Sequence, residues 1–328
     1  MSTQHDTQAR APISAFTEYV LPDLDRWTRD GAHAALITLI GIEGGAPRPI
    51  GAQMAVAEDG RASGHISGGC LEGALIAEAR AAMAEGRNRL VRYGKGSPYI
   101  DVRLPCGSGL DLYIDQFSPA RFAADMAQRW ADRQPLAHVT DLDAGVSTIR
   151  AAEAGERSRL EGRLFTRVHA PRPRLMLVGA GAAAGHLSAL ADSMGWHVDL
   201  VTPNAGEIGL CGDAHGVRVR ELHGEALAAA VAGDAFTAGA VVFHDHEWEL
   251  PVIAAMLRTE CFYIGAVGSR RVHELRLDAL RGMGFGSDAL RRIRGPAGLI
   301  GATKSPPTLA LSVMAEIAAA ARDSDIIA

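Results

Sequence analysis

Ser67-Gly68-Gly69-Cys70-Leu71-Glu72 joins a thiol, a carboxylate and two glycines directly ahead of a helical stretch. Paired glycines before a helix let successive backbone N–H groups converge on an anion. A cysteine at or beside the helix N-terminus gains thiolate character from the dipole, and a thiolate is both a nucleophile and a soft-metal ligand. Glu72, in the first turn, is placed to cap the helix or to accept a proton from a ligand. The competing reading of Cys70 is a small buried residue after a tight turn. A second thiol, Cys106, stands in another glycine-rich turn, Pro105-Cys-Gly-Ser-Gly109, and Arg48 stands on a similar loop, Gly44-Gly-Ala-Pro-Arg48. Arg48 reads either as an anion contact or as a solvated arginine on a turn. Cys211 and Cys261 have weaker contexts, and Cys261, just ahead of a strand, reads as core. The four thiols include no C-x-x-C pair, so neither a zinc knuckle nor a disulfide framework is indicated, and a reducing, cytoplasmic setting is expected.

The second half carries its own anion signals. Gly179-Ala-Gly181-Ala-Ala-Ala-Gly185 follows the apolar strand Leu175–Val178 and opens a helix, one residue longer than the dinucleotide fingerprint. Gly179 suits a tight turn, and Gly181 suits backbone approach to a phosphate at the helix N-terminus. That fingerprint expects an acid on the ribose about 20 residues further on. The second strand instead ends Thr202-Pro203-Asn204, with Asp199 inside it, which weakens ordinary NAD binding. His244-Asp245-His246-Glu247 follows the strand Ala240–Phe243, where metal binding, acid–base work or a plain helix cap by Asp245 are all open. Gly265-Ala-Val-Gly268-Ser269-Arg270-Arg271 also lies at a strand end. Ser269 as N-cap with Arg270 beside it reads as an anion site or as a capped helix with solvated arginines.

These residues need a scaffold. Helix is expected over Phe16–Gly31, Leu71–Glu85 (closed by Gly86) and Pro119–Arg133. Strands are expected over Ala34–Ile40, Gln53–Ala57, Arg61–Ile66, Leu90–Tyr93, Ile100–Leu104 and Leu110–Ile114. Weaker strand signals lie around Ala137–Thr140 and Ser147–Arg150. Pro171-Arg-Pro-Arg174 is a stiff linker. Beyond it, short apolar strands alternate with helices, through Val198–Val201 and Phe262–Val267, the pattern of a doubly wound parallel sheet. Ser305-Pro306 starts the last helix, with Leu309, Val313 and Ile317 on its apolar face. The expected organisation is α/β, with a first domain over 1–118, an intervening segment over 119–172 and a Rossmann-like domain over 173–328.

Composition narrows the class. The 328 residues carry 33 Lys and Arg against 38 Asp and Glu, a net charge of −5, which gives no footprint for nucleic acid. Apolar residues at 48% and charged residues at 22% fit a globular chain. No apolar run reaches the roughly 18 residues of a membrane span, and the polar start shows no signal-peptide pattern.

Taken together, the motifs resemble the xanthine dehydrogenase accessory family, XdhC/CoxI. The resembling stretches are Gly45-Ala-Pro-Arg48 with Pro49-Ile-Gly51, Ile66–Glu72, Leu104-Pro-Cys-Gly107, His244–Glu247, Tyr263–Arg271, Gly295–Leu299 and Leu311–Glu316. The resemblance implies an N-terminal XdhC domain followed by a C-terminal Rossmann domain. It implies a maturation chaperone, without turnover, that binds molybdenum cofactor as molybdopterin or its dinucleotide, favours its sulfuration and inserts it into a molybdenum hydroxylase. Implied partners are the apo-hydroxylase, a cysteine desulfurase and a second copy of the chain. The cofactor-binding candidates that go with the resemblance are Arg48, Gly68, Gly69, Cys70, Glu72, Cys106, Gly179, Gly181, His244, Asp245, Ser269 and Arg270, with Cys70 also the candidate molybdenum ligand. The chain departs from the family pattern at Ala182, Thr202-Pro203-Asn204, Ser108 and Gly298-Leu299-Ile300-Gly301. The alternatives are an NAD(P)-dependent oxidoreductase and a nucleotide-sensing regulatory protein.

Overall fold

A computed structural model describes residues 19–98, 107–116, 120–153, 155–207, 217–243 and 248–327. The chain divides into two units, Met1–Pro171 and Arg172–Ala328, at the proline-rich linker. Among the described residues no helix is long and apolar enough to cross a membrane.

In the first unit, helix α1 (Leu21–Arg29) leads into strands β1 (Ala34–Glu43), β2 (Gln53–Ala57) and β3 (Ala62–Gly64). Helix α2 (Glu72–Glu85) and strands β4 (Arg89–Gly94) and β5 (Gly109–Asp115) follow. The five strands form one sheet in the order β3-β2-β1-β5-β4, antiparallel throughout the pairs that build it. The first seven residues of β1 and all of β2 are buried, so both are continuous buried runs rather than alternating ones. Helix α2 lays Leu75, Ala79, Ala82 and Met83 on that sheet, against Ile37, Leu39, Met54 and Leu112. Fully burying one such side chain is worth about 1.5–3 kcal/mol, so this face fixes the helix to the sheet. The expected strand Ile100–Leu104 lies outside the described residues.

The stretch from 119 belongs with this unit. Helix α3 (Ala120–Ala131) joins α1 through Met126 and Trp130, and strands β6 (Leu136–Asp141), β7 (Val146–Ala151), β8 (Arg159–Glu161) and β9 (Leu164–His169) form a second antiparallel sheet, ordered β7-β6-β9-β8.

The second unit is a six-stranded parallel sheet. Its strands are β10 (Arg174–Gly179), β11 (His197–Thr202), β12 (Val217–Glu221), β13 (Thr237–Val242), β14 (Tyr263–Ala266) and β15 (Ile293–Arg294). Their order is β12-β11-β10-β13-β14-β15, and every neighbouring pair is parallel. Counted along the chain this is 3-2-1-4-5-6, the doubly wound order whose direction reverses between the first and fourth strands. Helices α4 (Gly181–Ser193), α6 (Glu249–Leu257), α7 (Arg270–Gly282) and α9 (Pro306–Asp323) connect or cover it, with short α5 (Glu225–Ala229) and α8 (Ser287–Leu290) between. Every residue of β13 is buried, as a strand covered on both faces requires. Pro306 begins α9 as expected, but Ser305 makes no side-chain cap; its hydroxyl instead accepts from Thr308 at 3.1 Å.

Candidate functional site

The antiparallel register gathers three loops at one end of the first sheet. Strand β1 ends at Glu43, paired with Gly109, where β5 begins. Gly94, the last residue of β4, pairs with the same Gly109. Strand β2 starts at Gln53, and β3 ends at Gly64 opposite Met54. Segments 44–52, 65–71 and 107–108 therefore leave from the same end. A Cβ at Gly44 would sit 3.6 Å from Ser108, so the Arg48 loop and the Ser108 turn are in contact. Lys95 N donates to Ser108 O at 2.9 Å. Glu43 pairs with Lys95 at 2.6 Å and with Arg92, and Arg92 also holds Asp111 at 2.9 Å. Arg48 is half-buried on its loop.

Glu72 organises the cysteine loop. Its carboxylate accepts from Ile66 N (3.1 Å), Ser67 N (2.8 Å), Ser67 Oγ (2.7 Å), Gly69 N (2.7 Å) and Leu71 N (3.2 Å). Ser67 Oγ accepts from Leu71 N at 2.8 Å, closing the turn. Burial would raise the carboxyl, but these donors, Ser67 first among them, outweigh it and hold the group at about 2. Two expectations are corrected here. Of the two glycine amides read as a nest for an external anion, that of Gly69 donates instead to the chain's own carboxylate, together with those of Ile66, Ser67 and Leu71. Glu72, charged at all ordinary pH, is a poor acceptor of a ligand proton and acts as the loop's internal anchor. Gly68 and Gly69 hold φ of 78° and 119°, the left-handed side that a side chain strains to adopt, and a Cβ on either would meet open space. Glycine is required there by conformation. Cys70 comes just before the helix N-cap, Leu71, and is exposed. The buried-residue reading of Cys70 is thus excluded. Cys106 lies outside the described residues.

In the second unit the switch point lies between β10 and β13. Ala180 N donates to Val242 O at 3.0 Å, and a Cβ at Gly179 would overlap that carbonyl. Gly179 is therefore needed for close approach of the fourth strand. Gly181, at φ 77° and with open space around it, is the glycine facing outward at the start of α4, whose N-cap, Ala180, supplies no side-chain bond. Thr202 Oγ1 accepts from Asn204 N at 3.2 Å, so the residue at the ribose-reading position closes its own turn. Asp199 lies 3.9 Å from Arg174 within the sheet. Ser269 is the N-cap of α7, accepting from Val272 N at 3.2 Å, and Arg270 and Arg271 are exposed beside it. His244 and Asp245 lie outside the described residues. Cys261 is buried as expected, and burial pushes its thiol upward.

Glu249, in the first turn of α6, forms an almost fully buried ion pair with Arg276 of α7. Twenty-seven positions separate the two, and no local pattern announces such a pair.

The parallel order 3-2-1-4-5-6 and the glycine turn at its switch point agree with the comparisons. Residues 175–317 match the family model described as the XdhC Rossmann domain, and residues 27–94 match that of the XdhC and CoxI family. The chain is 36% identical over 288 residues to the molybdenum cofactor insertion chaperone PaoD of Escherichia coli, spanning 88% of this chain and 83% of that protein. This chain belongs to the XdhC/CoxI family. It is also 25% identical over 284 residues to the uncharacterized protein YqeB of Escherichia coli, covering 42% of that longer protein. A Bacillus halodurans crystal structure described as a xanthine dehydrogenase shares the fold, with a TM-score of 0.74 at 19% identity over 92% of this chain and 96% of that one. The α/β class and the Rossmann-type second half of this XdhC/CoxI protein are thereby shown.

Proposed function

We propose that this XdhC/CoxI protein is a molybdenum cofactor insertion chaperone whose cargo docks at the loop end of the first sheet. The observation that carries this is the exposed Cys70 on a loop pinned by Glu72, in a chain 36% identical to a cofactor insertion chaperone. A preorganised loop loses little entropy on binding, which suits a protein that must hold and then release its cargo. Cys70 Sγ serves as the soft ligand to molybdenum. Arg48 faces the pterin phosphate, and Cys106 is proposed as a second thiol for the cargo. Taken by itself, the second unit offers Gly181, Ser269 and Arg270 at helix N-termini as candidates for a phosphate of their own, and His244 and Asp245 are carried over from the family motif alone. The client is an apo-molybdenum hydroxylase. Sulfur is delivered to the cofactor by a cysteine desulfurase, and the chaperone works as a homodimer. The cargo is molybdopterin or its dinucleotide. NAD(P) is a weaker candidate for the second unit, because Thr202 and Asn204 supply no ribose-binding acid.

The test is apo-hydroxylase activation. The chaperone is mixed with free molybdenum cofactor and added to the apo-enzyme. Activation above the cofactor-only control supports the proposal. Activation equal to that control refutes it.

A further inference from the structure

Gly51, on the loop that carries Arg48, is buried, and its φ is 90°. It rests on the second sheet of the first unit. A Cβ there would stand 2.9 Å from Cδ of Arg167, on β9, and 2.9 Å from Oγ of Ser158, just ahead of β8. Ser158 Oγ accepts from Val168 N at 3.0 Å and from Arg167 Nη1 at 3.2 Å, and the same Nη1 donates to Val168 O. Ser158 and the Arg167 side chain thus hold each other at the spot where the loop sits. From the other side the loop is tied to β1. Gly51 N donates to Leu39 O at 2.7 Å, Leu39 N to Ala52 O at 2.9 Å, and Ala52 N closes a turn on Pro49 O at 3.0 Å. Ala46 and Ala52 pack on the core of the first sheet.

A loop tied to one strand still rocks about that strand. A second contact from a separate sheet removes the motion, and a missing side chain at Gly51 is what lets the two surfaces meet. An arginine suits the supporting place. Its stem fills the space under Gly51, while its planar fork keeps Ser158 oriented through a directed donor, which an apolar side chain of like volume lacks. We infer that Arg167, seated by Ser158, is a positioning residue for cofactor binding: it holds the 44–52 loop, and Arg48 on it, in the orientation that receives the cargo. The four-stranded sheet β6–β9, an intervening segment by sequence, is then part of the frame of the cargo site. Every member of this buttress belongs to the first unit. The use of the loop by the cargo rests on the proposed function; the buttress rests on the structure alone.

Full-length Arg167→Met tests it, with Ser158→Ala as the milder variant should the first not fold. Hydrogen exchange of the amides at 44–52 is read without cargo, with those of 66–71 and of β6 as internal references. Binding of free molybdenum cofactor is titrated beside it. Expected are exchange at 44–52 faster by at least about tenfold, the equivalent of one lost charge-assisted hydrogen bond, references near wild type, and a cofactor Kd raised by a similar factor. Unchanged exchange at 44–52 in the folded variants overturns the buttress. Equal acceleration at 44–52, 66–71 and β6 is general loosening and overturns the positioning role. Faster exchange confined to the loop with unchanged affinity overturns its service to the cargo. Wild-type protein that binds no cofactor overturns the proposed function and this use of the loop, while the exchange result still decides the buttress.

Discussion

Glu72 and Ser67 bond to each other twice: the carboxylate accepts from the Ser67 amide at 2.8 Å and from its hydroxyl at 2.7 Å. Through these bonds a helix-start residue reaches back over five positions and shapes the loop that carries Cys70. Replacing Glu72 with Gln removes the charge from five hydrogen bonds, and a loss of about 1.5–3 kcal/mol in unfolding free energy is expected. The sign of the pH effect follows from the lowered carboxyl. Stability from this group is fully present above its ordinary value of 4.5 and is lost as pH falls toward about 2. Denaturant titrations of wild type and Glu72→Gln should therefore converge at low pH and diverge at neutral pH.

Much of this was legible in the sequence. The strand Gln53–Ala57 has the bounds its apolar run suggests, and the glycine turn after β10 announces the parallel sheet. The role of Glu72 was not legible, because whether a glycine loop's amides face outward or fold onto a carboxylate is decided by backbone torsions. The role of Gly179 was hidden for a different reason. Its constraint is Val242 of a strand more than 60 positions away, a contact no local pattern encodes. The same holds for Glu249 and Arg276.

Gly179→Ala and Gly181→Ala should separate packing from backbone conformation. At Gly179 an added Cβ overlaps the Val242 carbonyl, so the strands must part, and failure to fold or a loss above about 3 kcal/mol is expected. At Gly181 space is open and only the positive φ is strained, at a cost of about 1–2 kcal/mol. Thermal unfolding of the two variants checks the order.

A buried polar string in the first unit predicts opposing pH effects. His138, 3.4 Å from Thr140 Oγ1, is pushed down to about 4 by burial and by Arg167, and Asp115 is pushed up to about 6 by burial, against the Ser147 and Asn88 hydrogen bonds. Between pH 6.5 and 4 the unfolded chain binds a proton at His138 that the folded chain refuses, so this group destabilises as pH falls. Between pH 6 and 3.8 the folded chain holds a proton on Asp115 that the unfolded chain has released, so this group opposes the loss. His138→Gln should flatten the acid limb of the stability profile. Asp115→Asn should be more stable than wild type at pH 7 by about 1–2 kcal/mol, with the gain shrinking below pH 6.

Thiol accessibility should differ between the described cysteines. Cys70 is exposed and Cys261 is 4% exposed with Thr259 Oγ1 3.0 Å from its sulfur. Brief alkylation of the native protein followed by peptide mapping should label Cys70 and leave Cys261 protected until denaturant is added. Labelling of both at equal rates would contradict the burial of Cys261.

The central claim is that Cys70, on the Glu72-pinned loop, holds the molybdenum cofactor. Cys70→Ala removes an exposed sulfur and should leave the thermal midpoint within the usual spread of surface substitutions, about 0.5 kcal/mol. Wild type and Cys70→Ala are each incubated with free molybdenum cofactor and desalted, and retained molybdenum and oxidised-pterin fluorescence are measured. Near-stoichiometric retention by wild type, lost in the folded variant, is the predicted result. Equal retention by the two proteins would contradict a molybdenum ligand at Cys70.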